Sequence, residues 1–166
     1  MSLQNKRPRI LCIDPGKAAG YSVSENDRIV DSGLIDGSID NVHSADKLIK
    51  SIKPKIITVE TQFFYGGRKS KGLIALIERQ AMWKVLGKLR NITVCEVDPA
   101  QWQSFWDLFA DKKISNKYKR RKNFKKKVIT LAKFLIDHKD SVEDNEADAI
   151  LMNLFVIDDR EFLKNA

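Results

Sequence analysis

Two short runs of strand-forming residues each end on a carboxylate, and this pairing constrains the chain more than any other feature. Ile10, Leu11, Cys12 and Ile13 close on Asp14, just before Pro15 and Gly16. Ile56, Ile57, Thr58 and Val59 are β-branched throughout and close on Glu60. Such runs read as buried central strands. If the two strands lie side by side and parallel, Asp14 and Glu60 meet at one edge of the sheet. Strands of this kind belong to sheets covered by helices on both faces.

The remaining pattern supplies those helices. Tyr21 to Val23 and Arg28 to Ile35 read as two further strands, with Glu25, Asn26 and Asp27 as the hairpin turn. Ser44 to Ile52 is an amphipathic helix with Ala45, Leu48, Ile49 and Ile52 on one face, and Pro54 ends it. Phe63 to Lys71 is a loop rich in glycine and basic residues. Gly72 to Leu89 is the clearest long helix, and its apolar residues cover more than one face. One face meets the sheet; the surplus calls for another helix or a second subunit. Ile92 to Val97 is a fifth strand. Pro99 opens a helix holding Trp102, Phe105, Trp106 and Leu108. Val128 to Ile136 is an amphipathic helix, and the last helix runs from near Ser141 to about Ile157. A three-strand meander followed by alternating helices and strands predicts an α/β fold with a mixed five-stranded sheet flanked by helices. The 166 residues and 19.0 kDa fit one domain, 1–166, with residues 1–7 expected to be flexible.

A third acid belongs with the first two. Asp148 lies in the first turns of the last helix, beside the apolar stripe Ala147, Ile150, Leu151, Leu154 and Phe155. Each acid has a plainer reading: Asp14 before Pro-Gly is a common turn residue, and Asp144 could close a capping box with Ser141. Taken together, three carboxylates at two strand ends and one helix start favour chemistry. They would repel one another when ionised, and divalent cations between them remove that cost. Two such ions, about 3.5–4 Å apart, suit phosphodiester hydrolysis.

The charge balance narrows the partner. A formal charge of +8 and a pI near 9.5 favour an anionic partner: nucleic acid, an anionic membrane surface or an acidic protein. No apolar run approaches a bilayer-spanning length, and the first nine residues lack the apolar core of a signal peptide, so a cytoplasmic protein without a membrane partner is expected. Cys12 and Cys95 read as reduced core thiols. With only two histidines, a zinc site is improbable. Residues 111–127 hold ten Lys or Arg, among them Lys119, Arg120, Arg121, Lys122, Lys125 and Lys126. This could be a solvated face, but its density favours a phosphate-binding surface. One lysine there could also stabilise charge at a cut phosphate. Phe63 and Phe64 share their loop with Arg68, Lys69 and Lys71. Trp83, Trp102 and Trp106 sit at helical apolar positions and read as core or dimer residues.

Three segments together resemble RuvC-type Holliday junction resolvases, above all the divergent RuvC-like proteins of bacteriophages. Residues 10–16 followed by Gly20, Tyr21, Ser22 and Val23 are similar to the family's opening motif. Ile57 to Phe63 is similar to its second motif, and Ala147, Asp148, Ala149 and Ile150 to its third. Order and spacing agree over roughly residues 8–157. The resemblance implies an RNase H-like fold, a homodimer, two Mg²⁺ or Mn²⁺ ions per active site, and paired nicks across a four-way DNA junction. It assigns metal binding to Asp14, Glu60 and Asp148, and base stacking at the junction centre to an aromatic near Phe63 and Phe64. The family's fourth ligand lies three residues before the last aspartate and is usually Asp or His; here that slot holds Asn145. Asp144 lies about 40° from Asp148 around a helix and Asn145 about 60° on the other side, so either could serve. A broader branched-DNA or RNA-directed nuclease and a non-catalytic DNA-binding module are the other readings. A small ATP-binding actin-like protein is not supported, since the chain has no second glycine-rich phosphate loop.

Overall fold

The computed structural model describes residues 7–61, 71–108, 113–136 and 141–159. Its elements are β1 (Ile10–Asp14), β2 (Ala18–Glu25), β3 (Arg28–Asp36), α1 (Val42–Ile52), β4 (Ile56–Glu60), α2 (Lys71–Leu89), β5 (Thr93–Val97), α3 (Pro99–Phe105), α4 (Lys117–Leu135) and α5 (Asp144–Asp158). The five strands form one sheet in the order β3-β2-β1-β4-β5. β1 pairs antiparallel with β2 and parallel with β4, so the sheet is mixed, as the meander followed by alternation predicts.

The period-2 alternation of a strand sends β1 into two cores. Ile10 and Cys12 pack with α3, α4 and α5 on one face, around Trp102, Val128, Ala132, Ile150 and Leu151. Leu11 and Ile13 pack with α1 and α2 on the other, around Ile49, Trp83 and Leu86. Cys12, Thr58 and Cys95 lie in one row across β1, β4 and β5. The two thiols are thus two strand spacings apart, roughly 9–10 Å, too far for a disulfide. Both are buried and free, as expected.

Several boundaries differ from the sequence reading. The two-residue turn between β2 and β3 has Asn26 at φ 51° and Asp27 at φ 63°, the left-handed pair that matches a tight hairpin to sheet twist. β2 starts three residues before Tyr21, because its pairing with β1 continues to Asp14 opposite Gly20 and its pairing with β3 to Asp36 opposite Ala18. Gly20 is there for α5: a Cβ at that position would stand 1.8 Å from the Asn145 carbonyl oxygen. α4 is one continuous helix, capped by the Asn116 side chain accepting from the Lys119 N–H at 3.0 Å. α5 begins at Asp144, not Ser141, because Glu143 and Glu146 form the capping box in place of Ser141 and Asp144.

Candidate active site

β1 and β4 run parallel in register, with Ile13 opposite Val59. The next residue of each strand is Asp14 and Glu60, so both carboxylates emerge at the same edge, on backbones about 4.8 Å apart. α5 packs across β1, β2 and β3 on one face and brings Asp148 to that edge. The three acids feel one another. Burial, followed by the charges of Glu60 and Asp148, lifts the Asp14 carboxyl well above the ordinary aspartate range. Burial and the Glu60 charge push Asp148 up to about 7.

The Lys125 ammonium opposes both shifts. It also forms an ion pair with Asp144. Among the described residues of the basic run, Lys125 is therefore the lysine that reaches the acids, which the sequence could not single out. A stripe at 3- and 4-residue spacing along α4 explains its position: Tyr118, Arg121, Lys125, Val128 and Ala132. Val128 and Ala132 are buried in the core, Lys125 is half-buried, and Tyr118 at the start of the stripe is exposed. The core-facing side of α4 thus runs on past the acidic edge as a basic, open surface.

Glu60 has a partner the sequence did not reveal. The Trp102 indole N–H donates to Glu60 Oε1 at 2.9 Å, while the ring is buried in the core as expected. Trp106 uses its N–H differently, donating to the Leu151 carbonyl at 2.9 Å. A buried indole N–H usually finds an acceptor, although that of Trp83 has none among the described residues, and no sequence pattern says which acceptor it will be.

The fourth-ligand slot is engaged elsewhere. The Asn145 amide nitrogen donates to the Ala18 carbonyl, tying α5 to the start of β2. Asp144 is engaged by Lys125. Among the described residues, no three or more Asp, Glu, His or Cys side chains are arranged as a ready metal-holding group. The acids converge electrostatically and repel one another, while Glu60 gives one oxygen to the Trp102 indole. The donor set itself fits a hard divalent cation: carboxylate oxygens only, with two carboxyls raised first by burial and then by their acidic neighbours.

Of the expected DNA-contacting residues, Lys71, Lys119, Arg121, Lys122 and Lys126 are exposed. Arg120 is half-buried, and its Nε donates to the Ile114 carbonyl at 3.0 Å across the turn before α4. Phe63, Phe64, Arg68 and Lys69 lie outside the described residues, as do residues 1–6 of the expected flexible arm. No described helix is long and apolar enough to cross a membrane.

A mixed sheet in the order 3-2-1-4-5, flanked by helices and carrying acids at the ends of its two central parallel strands, is an RNase H-like fold. Within that class the fold is that of RuvC-type resolvases. The chain is similar to Thermus thermophilus RuvC, solved in complex with a Holliday junction substrate, over 90% of this chain and 92% of that one, with a TM-score of 0.62 at 18% identity. It is also similar to the yeast mitochondrial Holliday junction resolvase Ydc2, over 95% of this chain and 82% of that one, with a TM-score of 0.57 at 17% identity. Crossover junction endodeoxyribonuclease RuvC of Fusobacterium nucleatum subsp. nucleatum is 28% identical over 107 residues. That match spans about half of each protein, 56% of this chain and 55% of the relative. No family model matches the chain.

Proposed function

We propose that the chain is a divalent-metal-dependent endonuclease that resolves four-way DNA junctions by paired nicks. The observation that carries this is the meeting of Asp14, Glu60 and Asp148 at one sheet edge, with Lys125 of the basic helix α4 among them. Asp14, Glu60 and Asp148 would hold Mg²⁺ or Mn²⁺, with Asn145 or Asp144 as a fourth contact once it leaves its present partner. Two ions bound there would supply an activated water and stabilise the leaving oxygen of the phosphodiester. Lys125 offsets the repulsion among the acids and presents positive charge where a phosphate approaches. Lys119, Arg121, Lys122 and Lys126 hold the DNA arms through phosphates, which positions the substrate without reading its sequence.

The dimer belongs to this reading. Ile74, Val85 and Leu89 of α2 are exposed, and Ile39 and Val42 continue the apolar surface next to Val85 and Leu89. A second copy on that face would place two acidic sites about a twofold axis, matching the two equivalent strands of a junction. The engagement of Asn145 and Asp144 favours one rival, a junction-binding protein without catalysis. A labelled four-way junction, a three-way junction and a duplex, each incubated with Mg²⁺, Mn²⁺ or EDTA, separate the readings. We expect symmetric, metal-dependent nicks in the four-way junction, and none from Asp14→Asn, which should still bind it. Binding without nicking under any metal supports the rival, and equal cutting of all branched substrates supports a broader nuclease.

A further inference from the structure

We propose that Trp102 is a positioning residue for the metal site, holding the Glu60 carboxylate in one orientation through its indole N–H. The inference rests on the nuclease reading above and adds a residue to it.

The chain places the indole by a short series of fixed steps. Val97, the last residue of β5, lies opposite Glu60 in the parallel ladder. The Val97 carbonyl then accepts from the Thr61 N–H at 2.8 Å and from the Thr61 hydroxyl at 3.0 Å, which pins the segment just after Glu60. Asp98 caps α3: its carboxylate accepts from the Ala100 N–H at 2.7 Å, and the Gln101 side chain accepts from the Asp98 N–H at 3.2 Å. Pro99 at the first helical position fixes the entry angle of the helix. One turn later Trp102 falls across the end of β4. Its ring is 1% exposed and packs in the same core cluster as Val97, Val128 and Leu151.

The indole therefore cannot swing away, and its N–H is aimed at Glu60 Oε1. An indole N–H only donates, so it favours the carboxylate over any arrangement that turns Oε1 elsewhere. Groups that hold a ligand in this way commonly change metal affinity by about 10–100-fold when removed. Trp106 supplies a matched control, because it is the neighbouring indole in the same core but donates to a backbone carbonyl on α5.

The test compares Mn²⁺ binding by calorimetry in the wild-type chain, Trp102→Phe and Trp106→Phe, with Asp14→Asn as the background. Trp102→Phe should weaken Asp14-dependent Mn²⁺ binding at least tenfold, and Trp106→Phe less than twofold. The Mg²⁺ concentration for half-maximal nicking should rise by the same factor in Trp102→Phe, with junction affinity unchanged. Unchanged Mn²⁺ affinity in Trp102→Phe, or equal loss in both variants, overturns the inference while the wild-type chain still nicks junctions. A wild-type chain without Asp14-dependent Mn²⁺ binding overturns the nuclease reading, and this inference with it. If Trp102→Phe does not fold, the indole ¹⁵N–¹H resonances of the wild-type chain decide the matter. One resonance, retained in Trp106→Phe, must move on Mg²⁺ titration; three stationary indole signals overturn the proposal.

Discussion

Asp148→Asn should stabilise the metal-free chain while abolishing the proposed metal-dependent nicking. In the folded chain, burial and the Glu60 charge raise this carboxyl from the ordinary 3.8 to about 7. A folded-state value above the unfolded one makes stability greatest below about pH 4, and stability is lost as pH rises through about 7. The gap is roughly three tenfold steps at about 1.4 kcal/mol each, or roughly 4 kcal/mol above pH 7. Asparagine escapes that cost but still buries an amide, at about 1–3 kcal/mol. The net gain is about 2 kcal/mol, which for a chain of this size raises Tm by roughly 4–8 °C. Calorimetric melting in EDTA from pH 4 to pH 8.5 measures it. The variant should match or fall below the wild type at pH 4 and exceed it at pH 8. A difference in Tm that stays constant across this range would refute the argument that the acids repel one another in a desolvated site.

Four further outcomes follow from the same geometry. Replacing Lys119, Arg121 and Lys122 with Gln should flatten the log–log salt dependence of binding by up to about 2.7, for junction and duplex alike, as read by fluorescence anisotropy in a KCl series. Val85→Glu puts a charge on the exposed apolar face of α2; sedimentation should show dimer for the wild type, as proposed, and monomer for the variant. Lys125→Met removes the charge that lowers Asp14 and Asp148, so the acid limb of the pH–rate profile should move to higher pH; an unmoved limb would place Lys125 outside the site. Gly20→Ala should cost at least about 3 kcal/mol in thermal unfolding, since its Cβ would meet the backbone of α5. Gly33→Ala, which meets only the end of the Tyr21 ring, should cost far less.

The parts of this architecture written most plainly in the sequence are those fixed by local chemistry. β1 and β4 announce themselves through β-branched and apolar residues, and Asp14 and Glu60 through their place at the strand ends. The start of β2 is hidden because Ala18, Ala19 and Gly20 have little strand preference; pairing with β3 and, at Gly20, with β1 imposes it. α4 looked like a basic run followed by a helix because residues 117–127 carry few apolar side chains, so the helical period had nothing to show itself in. The start of α5 has two competing capping patterns at three-residue spacing, Ser141 with Asp144 and Glu143 with Glu146, and only the folded chain selects the second. Choosing Lys125 from ten basic residues needs the rotation of α4 about its axis. Pairing Trp102 with Glu60 needs the direction of α3 as it leaves the sheet. Both are tertiary facts, absent from any local window.

α5 carries Asp148 near its beginning and much of one core cluster along its length, with Ala147, Ile150, Leu151, Met152, Phe155 and Val156 all buried. It is also the last of the described elements in chain order. During synthesis the strands that bear Asp14 and Glu60 emerge first, and the third acid arrives only with the helix that closes the core. A chain cut short before residue 144 would lack both that packing and the complete acid set. Closing of the core and completion of the acid set thus rest on the same element.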